Sequence, residues 1–169
     1  MTDFESLYER HAPEVRRFAM YLCGDPATAD EITSDTFVKA WLAVGRIREP
    51  TVKSYLFSIA RNLYLDSVRR GSRHTELDPN LMDARSSTHT QLEQKAELRA
   101  ALAELKTLPE IDRTALMMRA LEEMPYEEIA AALDISVVTA KVKVHRARMK
   151  LMQKRDSFRQ SVSGGGTKQ

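Results

Sequence analysis

Residues 126–151, YEEIAAALDISVVTAKVKVHRARMKL, constrain the fold of this chain more than any other stretch. Pro125 stands just before it, where a fixed φ and a missing N–H cost a helix least. Ile129 and Leu133 are four apart and share one helical face. Ala130 is small, as a close helix crossing requires. Asp134 falls where the helix must turn, and Asp enters left-handed backbone more easily than most non-glycine residues. Ser136 is a good N-cap for a second helix. In that helix Ala140, Val144, Ala147 and Leu151 recur at i, i+4, i+7 and i+11, one apolar stripe. Its other faces carry Lys141, Lys143, His145, Arg146, Arg148 and Lys150. A short helix packed on a cationic one is a helix-turn-helix, whose second helix lies in the DNA major groove. The alternative is an αα-hairpin in a bundle, its basic face merely solvated.

Charge favours the first reading. From Ser136 onward there are nine Lys and Arg against one acid, Asp156; from Glu76 to Ile135 there are thirteen acids against six Lys and Arg. In order, residues 1–50, 51–75, 76–135 and 136–169 carry −3, +4, −7 and +8, although the net charge is only +2. Each half is acidic first and basic last, as suits contact with both a protein and a polyanion.

Length allows one ordinary domain or two small ones. No apolar run approaches a membrane span, and the acidic opening MTDFESLYERH lacks a signal-peptide core. One cysteine, Cys23, excludes an internal disulfide and reads as a buried apolar side chain. His11, His74, His89 and His145 form no spaced ligand set, and neither a phosphate loop nor a nucleophile–base pair is present. These features point to an intracellular, cytoplasmic, non-enzymatic protein without a metal or cofactor.

Helical spacing recurs along the chain and strand signals are weak. The first helix opens at Phe4, Leu7 and Tyr8 and either stops near Ala12 or bends past Pro13; Val15, Phe18, Ala19 and Leu22 continue its apolar face. After the break Gly24-Asp25-Pro26, a second helix runs from about Ala27 to Val44. Ile32, Thr36, Phe37, Ala40 and Trp41 mark one side of it, and Asp30, Glu31 and Asp35 another. Gly45 to Lys53 reads as a loop. A third helix spans about Val52 to Arg70, with Leu56, Ile59, Ala60, Leu63 and Val68 on its core face. There Tyr55, Phe57 and Tyr64 interleave with Arg61, Asn62, Arg69 and Arg70. Aromatics among cations can stack on unpaired bases. Phe57 is better read as core; Tyr55 and Tyr64 stay open between the two roles. Residues 73–90 are polar and turn-rich, a linker. Helix resumes from about Gln91 to Thr107 with a stripe of Leu98, Leu102, Leu105 and Leu108. Another runs from about Glu110 to Glu122 with Ile111, Ala115, Met118 and Leu121. Residues 157–169 read as a disordered tail. The fold class is all-α: an N-terminal helical domain of three or four helices over 1–72, a flexible linker over 73–90, and a helix-turn-helix domain over 91–156.

Four stretches, FESLYERHAPEVRRFAMYL, ADEITSDTFVKAWLAV, SYLFSIARNLYLDSVRR and LPEIDRTALMMRALEEMPYEEIAAALDISVVTAKVKVHRARMKL, occur in that order. Together they resemble the extracytoplasmic-function sigma factors, minimal two-domain sigma subunits of bacterial RNA polymerase. The resemblance implies roles by residue. Asp30, Glu31 and Asp35, with Phe37 and Trp41, would meet the clamp helices of the polymerase's largest subunit, with a second contact at its flap. Loop Gly45–Lys53, with Arg46 and Arg48, and Tyr55, Arg61 and Asn62 would capture an unstacked base of the −10 element, while Arg69 and Arg70 would hold phosphates. Helix Ser136–Leu151 would read the −35 element. Its N-terminus, Lys141, Lys143, Arg146 and Arg148 would take phosphates, and Val138, Thr139, Val142 and His145 would face it at or near base edges.

The chain departs from the family at Asp134 and Val138, where glycine is usual, at Val142, where serine is frequent, and at Lys143, where arginine is. Tyr55 also replaces a frequent tryptophan. Val142 cannot donate a hydrogen bond but can pack on a thymine methyl, and Lys143 lacks arginine's bidentate fork. The −35 preference is therefore expected to shift toward thymine-containing steps. The resemblance also implies an anti-sigma factor, one able to hold the chain at a membrane it does not itself touch, and a monomer when free. Two other readings fit parts of the chain: a stand-alone helix-turn-helix regulator, and an enzyme using Asp30, Glu31 and Asp35 on a metal. The first lacks a dimerisation helix and the second a third ligand.

Overall fold

The computed structural model describes residues 3–46, 51–71 and 89–163. Seven α-helices make up nearly all of it: α1 (Phe4–Cys23), α2 (Pro26–Leu42), α3 (Val52–Arg69), α4 (His89–Leu105), α5 (Glu110–Ala120), α6 (Tyr126–Leu133) and α7 (Val137–Ser163). A single 3₁₀ turn, Val44–Arg46, follows α2, and no strand occurs among the described residues. Of the expected linker only His89 and Thr90 are described, and they open α4; residues 73–88 lie outside the described residues, as do 164–169 of the tail.

Local chemistry sets the boundaries. Asp3 caps α1, accepting from the Glu5 N–H. The Asp25 carboxylate accepts from both the backbone N–H and the hydroxyl of Thr28, with Pro26 at the first helical position. Those bonds lower the Asp25 pKa, the Thr28 hydroxyl contributing most. Gly24 ends α1 at φ 68°, its N–H donating to the Met20 carbonyl. Pro13 does not stop α1, which runs through it as one helix. The burial of Val15, Phe18, Ala19 and Leu22 beyond it accounts for this, because packing outweighs one missing hydrogen bond.

The helices form two groups. α1, α2 and α3 pack on one another around Phe18, Leu56, Phe57 and Ala60. Phe18 and Phe57 meet edge to face at 4.5 Å, worth about 0.5–1.5 kcal/mol beyond their buried area. Thr33 and Thr36 enter this core because their hydroxyls donate to the carbonyls of Ala29 and Ile32. α4, α5 and α6 pack around α7, whose Ala140, Val144 and Ala147 are fully buried. The groups also touch: α3 packs on α6 and α1 on α5.

Several expectations need correction. Val68 is expected on the core face of the third helix yet is exposed, and Ile59 and Leu63 there are half-buried; Trp41 and Leu121, named with the apolar residues of their helices, are exposed as well. Each exposed residue lies in or just beyond the last turn of its helix, where the facing helices no longer cover it. The last helix does not end near residue 156 but continues to Ser163. Lys150 and Arg159 reach Glu104 and Glu97 on α4, at 3.6 and 3.8 Å, and these contacts bring the helix well past the apolar stripe. Of the α4 leucine stripe, Leu105 is buried and Leu108 half-buried; the side chains of Leu98 and Leu102 lie outside what is described.

Asp134 closes α6 at φ 54°, ψ 50°, and its N–H donates to the Ala131 carbonyl. A β-branched residue there would meet its own carbonyl. Asp134→Val is expected to lower stability by about 1–2 kcal/mol in urea unfolding, whereas Asp134→Gly should cause no loss.

Candidate nucleic-acid interface

Ser136 starts α7. Its hydroxyl accepts from the Thr139 N–H at 3.0 Å and pairs with the Thr139 hydroxyl at 2.7 Å. Both side chains are thus committed to the cap. Beyond them α7 turns Val138, Lys141, Val142, His145, Arg146 and Arg148 outward. Val138 and Val142, one turn apart, are 72% and 47% exposed, an apolar pair within a cationic face. The Lys141 ammonium sits 5.7 Å above the Tyr126 ring, which Arg119 also covers at 4.6 Å.

Lys143 behaves differently from its neighbours. Its ammonium donates to Asp112 at 3.2 Å, and Arg146 donates to the other oxygen of that carboxylate at 3.4 Å. Asp112, on α5, is fully buried, while the Lys143 side chain is only 18% exposed. Lys143 therefore fixes α7 on α5, and Arg146 shares that work while its side chain stays largely in solvent.

In the first group the aromatic residues divide unexpectedly. Phe37, expected at the polymerase contact, is buried, its ring edge to face with Tyr8 at 4.8 Å and Phe4 at 6.4 Å. It offers no surface to a partner. Trp41 is exposed and rests on Phe4 at 4.6 Å. Val38, Leu42 and Val44 are exposed near it. Asp30, Glu31 and Asp35 lie on the outer face of α2, Asp30 accepting from Arg16 at 2.7 Å.

Arg46 is exposed at the end of the 3₁₀ turn; Arg48 lies outside the described residues. Tyr55, Asn62, Arg69 and Arg70 are exposed along α3, with Arg69 3.6 Å from Asp66. Tyr64 is buried with Phe57, so both belong to the core. Arg61 is occupied: its guanidinium forks onto Glu110 at 2.9 and 2.8 Å. Burial pushes the Glu110 carboxyl up, but hydrogen bonds from Arg61 and Thr114 outweigh it and hold it below its ordinary value. A second fork joins Arg17 to Glu122 at 2.8 and 2.9 Å. That hydrogen bond raises the Arg17 pKa against a smaller opposing effect of burial. Periodicity did not single out Asp112, Glu110, Glu122, Arg17 or Lys53. For Lys53, Glu110 and Glu122 the signal that could have was the complementary charge of segments 51–75 and 76–135.

Comparison with known proteins accounts for this arrangement. The family models for sigma-70 region 2 and sigma-70 region 4 match residues 7–74 and 98–151. The ECF RNA polymerase sigma factor SigE of Mycolicibacterium smegmatis is 33% identical over 156 residues, 89% of this chain and 61% of the relative. The ECF RNA polymerase sigma factor EcfG of Rhodopseudomonas palustris is 31% identical over 147 residues, 82% of this chain and 77% of the relative. The chain belongs to the ECF RNA polymerase sigma factor family. Its family places it in transcription initiation. The sigma factor RpoE of Bartonella quintana, solved in complex with the anti-sigma factor NepR, has the same fold. It superposes with a TM-score of 0.68 at 26% identity, over 91% of this chain and 97% of that one. No described helix is long and apolar enough to cross a membrane, and no group of three or more His, Cys, Asp or Glu among the described residues could hold a metal.

Asp112 decides how α7 is presented. Asp112→Asn would leave the Lys143 ammonium without its charged acceptor. Stability should fall by about 2 kcal/mol, read as a lower urea midpoint at unchanged slope.

Proposed function

We propose that this sigma factor directs polymerase to promoters through two separate units, approximately residues 1–72 and 91–156, that act without covalent chemistry. In this reading α7 enters the major groove of the −35 element. Its first turn, Lys141, Arg146 and Arg148 meet phosphates, and Val138, Val142 and His145 face base edges. Tyr55, Asn62, Arg46, Arg48 and Arg61 take the −10 element, and Arg69 and Arg70 its backbone. Asp30, Glu31 and Asp35, with exposed Trp41, dock on the clamp helices of the polymerase core, with a second contact at the flap. The observation that carries this reading is the outward face of α7: five of its expected DNA-facing side chains, Val138, Lys141, Val142, His145 and Arg148, are exposed, and none of them is bonded to a carboxylate among the described residues. Weak contacts suffice, because polymerase makes the second one effectively intramolecular.

An anti-sigma factor is the further partner, supported by the RpoE–NepR complex of a relative. The chain works in the cytoplasm, as a monomer when free, and any membrane attachment comes through that partner.

Transcription in vitro with core polymerase and a promoter library tests the proposal, since only a sigma factor makes initiation depend on both. Two predictions sharpen it. Reversing Asp30 and Glu31 to lysine should abolish binding to core polymerase while circular dichroism stays unchanged, because the exposed Arg16–Asp30 pair is worth at most about 1 kcal/mol. Unchanged polymerase affinity would leave those acids merely solvated. In a base-by-base −35 scan, Val142→Ala should lose activity at thymine-containing steps specifically, by roughly the 1–3 kcal/mol of a good base contact at most. Equal loss at every position would rule out methyl readout.

A further inference from the structure

Hydrogen bonds from Arg17, Lys53, Ser54 and Arg61 join the two helix groups and run one way: these donors lie on α1 or α3, and their acceptors lie in the stretch from α5 through α6. Arg17 forks onto Glu122. Lys53 donates to the Glu122 carbonyl at 3.0 Å and stands 3.7 Å from its carboxylate. Ser54 donates to the Glu128 carbonyl at 2.9 Å. Arg61 forks onto Glu110. Lys53, Phe57 and Arg61 are four apart, so one face of α3 supplies both cations while Phe57 anchors it in the core.

The carboxylates are deep in this contact. The Glu122 side chain is 1% exposed, and Lys53, Arg61 and Glu110 are about one-fifth exposed or less. A charge so placed needs a partner of opposite sign. Separation of the groups would return both partners of each pair to water, so the contact can open without orphaning a buried charge. The pattern also assigns the charge segregation of the sequence. Glu110 and Glu122 of the −7 segment meet Arg61 and Lys53 of the +4 segment of the same chain.

We propose that the free chain is held closed by Glu110 and Glu122, which occupy on α3 and α1 the cations that would otherwise meet nucleic acid, so that opening must precede promoter contact by the N-terminal unit. The part that names nucleic acid rests on the −10 role given to α3 above. The closed state itself does not. A polyanion and the two carboxylates compete for Arg61 and Lys53. Whatever grips that face therefore shifts the population toward the open chain, and the apparent affinity of the closed chain is reduced by the fraction that is open.

Small-angle scattering on the full chain alone, without polymerase or promoter, tests the latch. In low salt the unaltered chain should show the radius of gyration of one compact body, about 15 Å for this length. The double variant Glu110→Gln, Glu122→Gln should be clearly larger with unchanged helicity by circular dichroism. If that variant fails to fold, the unaltered chain still decides: raising the salt to screen the half-exposed Arg17 pair should expand it while its helicity holds. An unaltered chain already expanded in low salt, or one that stays compact in both the folded double variant and high salt, would overturn the proposal. A second measurement addresses what opening exposes. At fixed salt the double variant should bind a fluorescent oligothymidylate roughly tenfold more tightly than the unaltered chain, in line with a larger competent fraction. An expanded variant with unchanged affinity would overturn the nucleic-acid part. Failure to support transcription would instead sink the sigma reading and leave the scattering result standing.

Discussion

A carboxylate taken out of water has to find a cation, and three such carboxylates set the geometry of this chain. Asp112 takes Lys143 and Arg146, Glu110 takes Arg61, and Glu122 takes Arg17 and Lys53. The first pairing lies within the C-terminal helices and fixes how α7 rolls on α5. The other two lie between the helix groups. Together they divide the cations into those spent on structure and those left for a partner. On α7 the division falls between Lys143, turned in, and Lys141, His145 and Arg148, turned out. A lysine at position 143 suits this role, because a compact ammonium on a flexible stem reaches one buried oxygen without needing the planar fork of arginine.

Much of the fold was legible because it depends on local spacing. The apolar stripe Ala140, Val144, Ala147 is the buried face of α7, and Asp134 adopts the left-handed turn that its side chain tolerates. Cys23 is buried, as a lone apolar thiol should be. What was misread depends on what faces a residue across space. Phe37 and Trp41 are four apart on α2 and look equivalent in sequence. Only the position of Phe4 and Tyr8 on α1 makes one of them core and the other surface. Lys143 reads as one cation among several until α5 brings a buried aspartate beneath it. The extent of α7 was also hidden, because its last turns are mostly polar and meet α4 through ion pairs.

The charge blocks show the same limit at larger scale. Alternating acidic and basic segments indicated complementary partners, and the natural inference was an external protein for the acids and DNA for the bases. One of those complementarities is satisfied within the chain. Composition cannot separate these cases, since a carboxylate on α5 and a phosphate on DNA look alike to Arg61. Position does separate them. The forks at Glu110 and Glu122 use two oxygens each at 2.8–2.9 Å, the geometry in which arginine and carboxylate bind most strongly.

A contact built this way suits a protein that has to change partners. An apolar seam would have to expose its surface to water on opening, and its cost would rise with area. Here the apolar cores of the two groups are continuous, but the ion pairs between them return charges to a solvent that accepts them, so that part of the contact responds to competing charge. Such coupling is reciprocal. Any ligand that prefers the open chain is weakened by the closed one, and weakens the closure in equal measure. In a chain whose two units each bury only a modest core, that balance lets one set of cations keep the units together when alone and remain available when a stronger polyanion arrives.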